Sequence, residues 1–220
     1  MRRMIHRIVP LGLPLLVFGV TGCNALFTGL MGMHSTPPHS PARVAADAAR
    51  YRVPAAQVAV LDASYLRFVR RQAREASRYD AAKNHGQLLQ LLYFDAAGRL
   101  VSFHINCYAP PKLPSLNLNW NPDGLLNTFP PASQVAPDQL LSFAQLLTFL
   151  RTPEGQPLAA EPLAVAPGGY RVVVFWSHTM GRQTRVLLRA VAQNLQRVPP
   201  GQPAPQVLYV NNDAYLGLLD

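Results

Sequence analysis

The hydrophobic pattern is clearest in the last third of the chain. Residues 172–176 are all apolar, which is typical of a strand that is buried on both faces of a sheet. Residues 207–210 form a second such run. Between the two runs, five apolar residues recur with the spacing of one helix face: Val186, Leu187, Ala190, Val191 and Leu195. The pattern therefore predicts a parallel strand–helix–strand unit with a right-handed crossover, in which Ser177 or Thr179 caps the helix.

A β-hairpin is predicted upstream, from residues 88–94 and 100–108. The two runs flank the turn at residues 95–98, which an aspartate opens and a glycine closes. Apolar and polar residues alternate in the second run, so its side chains point to opposite faces in turn. The apolar face consists of Val101, Phe103, Ile105 and Cys107, and the polar face of Ser102, His104, Asn106 and Tyr108. We therefore expect Cys107 to be buried and unreactive.

A long amphipathic helix is predicted from Pro54 to about Tyr79, because proline suits a first helical turn. Its apolar side carries Leu66, Val69, Ala73 and Ala76. Five arginines lie on the opposite side: Arg67, Arg70, Arg71, Arg74 and Arg78. A basic residue near an anionic bilayer contributes about 1 kcal/mol, so one interpretation of these arginines is a membrane-facing surface. The other is a solvated helix face. A shorter helix is predicted over residues 138–150.

The N-terminus has the pattern of an export signal. Three arginines in the first seven residues precede an apolar run over residues 8–20, and small residues lead to Cys23. The ending Val20-Thr21-Gly22-Cys23 resembles the lipobox of bacterial lipoproteins, in which the cysteine thiol receives a diacylglycerol. This resemblance implies a signal peptide over residues 1–22 and a lipidated Cys23. An uncleaved membrane anchor is the alternative, but two prolines interrupt the apolar run.

The lipoprotein resemblance also implies a cellular location. Asn24 follows the cysteine, whereas an aspartate there retains enterobacterial lipoproteins in the inner membrane. We therefore predict a protein of the bacterial cell envelope that is lipid-anchored in the outer membrane and faces the periplasm. Residues 23–45 are predicted to be the lipidated cysteine and a flexible tether, since they are rich in proline, glycine and serine. Residues 46–220 are predicted to form a single globular domain.

The charge balance narrows the choice of partners. The chain has 20 basic and 11 acidic residues, and three of the basic ones lie in the predicted signal, which leaves a net charge of +6 on the remainder. Basic balance suggests anionic partners, which in the envelope are anionic lipids or an envelope protein and not nucleic acid. Lipidation uses one of the two cysteines, so Cys107 has no intramolecular disulfide partner. The sequence contains no motif that predicts a cofactor or a metal site.

Three segments of the last third carry a family resemblance: Thr152–Pro157, Gly169–Arg171 and a strand that ends in Phe175-Trp176. Together they resemble the entry to the catalytic strand of thioredoxin-like thiol oxidoreductases, most closely the membrane-anchored type of bacterial cytochrome maturation. The resemblance implies an α/β fold over about residues 152–216, with α+β as the alternative. In that family Cys-Gly-Pro-Cys begins the following helix, whereas this chain has Met180-Gly181-Arg182-Gln183. Without the two cysteines the site has no thiolate and cannot exchange disulfides.

The order of the predicted elements departs from that of thioredoxins. In the family an antiparallel hairpin and a helix follow the second parallel strand. Here the hairpin and the helix of residues 138–150 precede the strand–helix–strand unit. We therefore predict a thioredoxin-like sheet with permuted element order, preceded by the amphipathic helix. The prediction requires that the hairpin and the two parallel strands belong to the same sheet.

Polar and basic residues gather at the end of the predicted strand 172–176, where ligands bind open α/β sheets. The candidate binding residues are His178, Met180, Gly181, Arg182, Gln183, Arg185 and Arg189. Three of these are arginines on one helix face, which together with the helix N-terminus would receive an anion; a solvated helix face is the alternative. The predicted function is a non-catalytic binding or scaffolding module. The alternatives are a membrane-surface protein that docks through the arginine-rich helix, and a thiol enzyme that uses Cys107.

Overall fold

The computed structural model describes residues 32–35, 38–160 and 163–216, so the predicted signal peptide and Cys23 lie outside the described residues. The strands are β1 (Val58–Leu61), β2 (Gln90–Phe94), β3 (Leu100–Ile105), β4 (Pro111–Lys112), β5 (Asn117–Leu118), β6 (Leu150–Arg151), β7 (Arg171–Trp176) and β8 (Gln206–Asn211). The helices are α1 (Pro41–Tyr51), α2 (Ala63–Gln72), α3 (Tyr79–His85), α4 (Phe143–Thr148), α5 (Gly181–Leu195) and α6 (Asp213–Leu216).

Six strands form one mixed sheet in the order β3-β2-β7-β8-β1-β6, and β4 pairs with β5 separately. The three strands β7, β8 and β1 are parallel to one another. The hairpin strands β2 and β3 and the edge strand β6 run antiparallel to their neighbours. Residues 172–176 of β7 are buried on both faces, as their continuous apolar pattern predicts. The fold is therefore a mixed α and β structure around one sheet.

The predicted hairpin is confirmed, and it lies in the same sheet as the β7–α5–β8 unit. β2 pairs with β3 on one side and with β7 on the other, so the hairpin is next to the strand that carries the Phe175-Trp176 ending. This placement meets the requirement of the permuted order. Both faces of β3 are covered, since the polar residues Ser102 and His104 are as fully buried as Phe103.

The prediction that Cys107 is buried was wrong. β3 ends at Ile105, and residues 106–108 form a short 3-10 turn. The alternation of faces therefore stops before Cys107, whose side chain is exposed. Its thiol donates a hydrogen bond to Gln87 Oε1 at 2.7 Å.

The single helix predicted from residue 54 to residue 79 was also wrong. Residues 58–61 form β1, which is buried along its whole length between β8 and β6. Asp62 then caps α2 by accepting a hydrogen bond from Ser64 N at 2.7 Å. All five arginines of the predicted stripe are exposed, but they are distributed over α2, the following turn and a 3-10 segment: Arg67, Arg70, Arg71, Arg74 and Arg78. They do not form one helical stripe.

Helix α1 begins at Pro41, inside the segment predicted to be the tether. The side chain of Ser40 accepts a hydrogen bond from Arg43 N at 3.3 Å, and a proline occupies the first turn. Buried Val44, Ala48 and Tyr51 recur at the spacing of one helix face and pack in a cluster with Trp176. This contact places the C-terminal end of α1 beside the end of β7.

Two predicted helices differ from the observed ones at their first residues. α4 begins at Phe143 behind the cap Ser142, and not at residue 138. α5 begins at Gly181 with Met180 at the capping position and without a side-chain cap, so neither Ser177 nor Thr179 has the predicted role. No helix in the described part of the chain has the length and apolar character that a bilayer span requires.

Candidate functional site

A buried carboxylate organises the loop between β7 and α5. Asp213 follows β8 and accepts hydrogen bonds from Ser177 Oγ at 2.5 Å, from His178 N at 2.9 Å and from Asn211 Nδ2 at 2.7 Å. All four residues lie at the carboxyl ends of two neighbouring parallel strands, and Asp213 is only 6% exposed. We call Ser177, His178, Asn211 and Asp213 the loop cluster. Its hydrogen bonds hold the loop in one conformation, so Asp213 does not face a ligand.

His178 connects this loop to α1. Its Nδ1 lies 3.0 Å from Asp47 Oδ1, and both side chains are largely buried. Because Asp47 and His178 are 131 positions apart, the sequence alone did not bring them together. The pair joins α1 to the end of β7 and so fixes the position of the residues at the end of α1.

The Met180–Gln183 segment, which the sequence resemblance matched to a Cys-Gly-Pro-Cys motif, is used for packing. Met180 is 6% exposed and belongs to a hydrophobic cluster on the α5 side of the sheet. Gln183 is fully buried; its Oε1 accepts from Leu118 N at 2.9 Å, and its Nε2 donates to Leu116 O at 3.2 Å. These two candidate binding residues therefore support the core and a loop.

The start of α5 is covered by residues 32–34, which we call the N-terminal strap. His34 N donates to Thr179 O at 2.8 Å, and Arg182 N donates to Gly32 O at 3.3 Å. Gly181 has a φ of +42°, and a Cβ there would lie 2.7 Å from the His34 ring and would overlap Gly32 O, closer than van der Waals contact allows. The strap therefore occupies the space in which an anion would approach the helix N-terminus.

Replacing Gly181 with Ala is expected to displace the strap and to destabilise the fold by about 1–2 kcal/mol. We expect faster hydrogen exchange of the His34 amide, because its bond to Thr179 O depends on the close approach at Gly181. Gly201→Ala is the matched control, since Gly201 also has a positive φ but has open space around its Cβ position. Equal exchange at His34 in both variants would show that the strap does not rest on Gly181.

An open cleft of about 570 Å³ lies between the end of α1 and the exposed side of α5. Four arginines line it: Arg50 and Arg52 from the end of α1, and Arg185 and Arg189 from α5. The other lining residues are Tyr51, Val53, Leu188, Ala192 and Tyr209, so the lining contains no Asp or Glu among the described residues. We call this the arginine cleft.

Described carboxylates lie near the arginine cleft without pairing with its arginines, since Asp47 and Asp213 both act on the pKa of Tyr51. None of its four arginines forms a salt bridge with a described carboxylate. Arg185 and Arg189 are four residues apart on α5, a spacing at which like charges destabilise a helix by about 0.2–0.5 kcal/mol. Such a concentration of exposed guanidinium groups is a candidate binding site for an anion.

Tyr51 adds a buried polar group to the arginine cleft. Burial raises the pKa of its phenol above the ordinary value; Asp47 and Asp213 act in the same direction, and Arg50 and Arg185 act in the opposite one. The hydroxyl therefore keeps its proton at neutral pH. It is buried and has no hydrogen-bond partner among the described residues.

The cleft combines residues that sequence reasoning found with residues that it missed. Arg185 and Arg189 were predicted from their helix face, whereas Arg182 of the same predicted face lies at the strap and does not line the cleft. Arg50 and Arg52 were missed, because no helix was predicted over residues 41–51. The sequence Ser40-Pro41 was the available signal, since serine and proline favour a helix start.

A metal centre is not indicated in the described residues, where no three His, Cys, Asp or Glu side chains are grouped to hold a metal ion. The arginine cleft is therefore the principal candidate site. Comparison of the chain with protein-family models, with curated proteins and with solved structures finds no match.

Proposed function

We propose that the chain is an envelope lipoprotein whose redox-inactive thioredoxin-like domain binds an anionic ligand in the arginine cleft. The observation that carries the proposal is the convergence of Arg50, Arg52, Arg185 and Arg189 on one cleft without a described carboxylate partner. Guanidinium groups remain charged at all physiological pH values and bind carboxylates and phosphates through paired hydrogen bonds. A ligand of this kind neutralises the repulsion among the arginines.

The order of the sheet supports the thioredoxin-like part of the proposal. β7 has the antiparallel β2–β3 hairpin on one side and the parallel β8 on the other, with α5 as the crossover. The hairpin precedes this unit in the chain, which fits a permuted element order. The lipid anchor rests on the motif that ends at Cys23, and the absent cysteines at Met180 and Gln183 support a binding role over thiol exchange.

The proposal predicts that inorganic pyrophosphate binds the full-length chain and that the cleft arginines account for the binding. In Arg185→Ala/Arg189→Ala we expect at least a tenfold weaker affinity, because two charge-assisted contacts to the anion are lost. The measurement is isothermal titration calorimetry in a nonionic detergent. Both positions are exposed on a helix, where alanine is well tolerated, and thermal unfolding checks the fold.

The matched control is Arg67→Ala/Arg70→Ala, which removes the same charge from two exposed positions of α2. We expect its pyrophosphate affinity to remain within about twofold of that of the original chain. Salt screens the attraction between the anion and arginines that do not contact it, so removing such arginines has little effect. Equal losses of affinity in the two double variants would show that pyrophosphate is attracted by the overall charge of the protein. That result would refute specific binding in the arginine cleft. A selective loss in the control variant would favour the alternative of membrane docking through the arginines of α2.

A further inference from the structure

The arginine cleft has an apolar wall as well as its charged residues. Val53, Leu188, Ala192 and Tyr209 line it together with the arginines, and Ala192 is exposed on α5. Its volume of about 570 Å³ is in the range of pockets for small organic ligands, and it is far larger than a single phosphate ion requires. A bare inorganic anion would leave the apolar wall in contact with water. The ligand that fits both features has an anionic group and an apolar body.

The charged part of the cleft favours a phosphate ester over a carboxylate. A phosphomonoester carries a charge of roughly −1.5 to −2 at neutral pH and offers three acceptor oxygens, so that several guanidinium groups bind it at once. A carboxylate carries one charge and accommodates one arginine in a bidentate manner. The guanidinium groups of the four arginines match the acceptors of a phosphate group.

We infer that the arginine cleft binds a phosphate monoester that carries an apolar group, with the phosphate at the arginines and the apolar group along Leu188 and Ala192. This inference rests on the proposed function and names the ligand class of the same site. The chemistry has two sources, a free alkyl or aryl phosphate and the headgroup region of a bilayer lipid. Cys23 and Gly32 are nine residues apart, a span of at most about 32 Å when extended, so a lipidated Cys23 would keep the strap near a bilayer.

The test compares hexyl phosphate, inorganic phosphate and hexanoate by calorimetry with the full-length chain, each corrected by a titration into detergent alone. We expect hexyl phosphate to bind at least tenfold more tightly than inorganic phosphate, because each buried methylene adds to the affinity. Hexanoate is expected to bind at least tenfold more weakly than hexyl phosphate. If hexanoate equals hexyl phosphate, the assignment of a phosphate is wrong.

The failure of this inference is distinguishable from failure of the proposed function. If phosphate, pyrophosphate and hexyl phosphate all bind and depend on Arg185 and Arg189, but the hexyl group adds nothing, the cleft binds simple anions and only the ligand class is refuted. If none of the three binds, the proposed function is refuted with it.

Ala192→Leu tests the apolar wall directly. The substitution extends the wall at an exposed helix position, so we expect about threefold tighter binding of hexyl phosphate and no change for inorganic phosphate. Ala144→Leu is the control at an exposed position of α4 that does not line the cleft. Leu188→Gln is expected to weaken hexyl phosphate alone. Unchanged hexyl phosphate binding in both cleft variants would contradict the position of the apolar group.

Reconstitution separates the two sources of the ligand. The full-length chain is placed in phosphatidylcholine vesicles that contain a minority of either phosphatidic acid or phosphatidylserine, which gives both preparations a negative surface. Weaker hexyl phosphate binding with phosphatidic acid than with phosphatidylserine identifies the bilayer lipid as the occupant. Equal binding, together with the tenfold preference for hexyl phosphate, supports a free phosphate ester.

Discussion

Replacement of Asp213 with Ala is expected to lower the free energy of unfolding by about 3–5 kcal/mol. The carboxylate is 6% exposed and accepts from Ser177 Oγ, His178 N and Asn211 Nδ2. Each buried donor that loses its acceptor costs about 1–3 kcal/mol. The variant leaves at least three such donors at the ends of β7 and β8, which makes its effect larger than that of an ordinary surface change.

Urea unfolding followed by circular dichroism measures this effect. Asp123→Ala is the control, because Asp123 is an exposed aspartate, and its loss is expected to change stability by less than about 0.5 kcal/mol. If Asp213→Ala costs no more than Asp123→Ala, the loop cluster does not hold the β7–α5 connection.

Acidification is expected to destabilise the protein through His104. The side chain is fully buried in β3, and burial lowers the pKa of its imidazole to about 4, compared with 6.5 for an unperturbed histidine. The unfolded chain therefore takes up the proton first as the pH falls below 6.5. This contribution to stability is complete above pH 6.5 and is lost progressively as the pH falls towards 4. At pH 5 the loss amounts to about 2 kcal/mol.

The measurement is the free energy of unfolding at pH 7 and at pH 5 for the original chain and for His104→Gln. Glutamine does not titrate, so we expect the difference between the two pH values to be smaller in the variant by about 2 kcal/mol. Subtracting the two differences removes the contributions of the other titrating groups. An equal acid-induced loss in both proteins would contradict a neutral, buried His104.

The elements that sequence reasoning identified are those with strong local signals. The apolar run of β7 and the Asp–Gly turn between β2 and β3 are each contained in a few consecutive residues, and both were predicted close to their observed bounds. β1 has an equally apolar sequence, but four residues fit either a strand or a helix. What decides its conformation is pairing with β8, and that contact joins distant parts of the chain.

Only half of the arginine cleft was predicted from the sequence, because the contacts that complete it join distant parts of the chain. Arg185 and Arg189 follow a recognisable strand ending, so the sequence placed them near a ligand. Arg50 and Arg52 reach the cleft only because α1 packs on Trp176 and because Asp47 pairs with His178, and neither contact has a local signature. Cys107 was misplaced because strand alternation was extended beyond the end of β3.

The most direct test of the arginine cleft is nuclear magnetic resonance of the full-length chain labelled with nitrogen-15 arginine. The Nε–H signals are assigned by single substitutions and followed during titration with pyrophosphate. We predict that the signals of Arg50, Arg52, Arg185 and Arg189 shift together with one dissociation constant, while those of Arg67 and Arg70 do not. Shifts confined to the arginines of α2, or no shift at the four cleft arginines, would contradict the account.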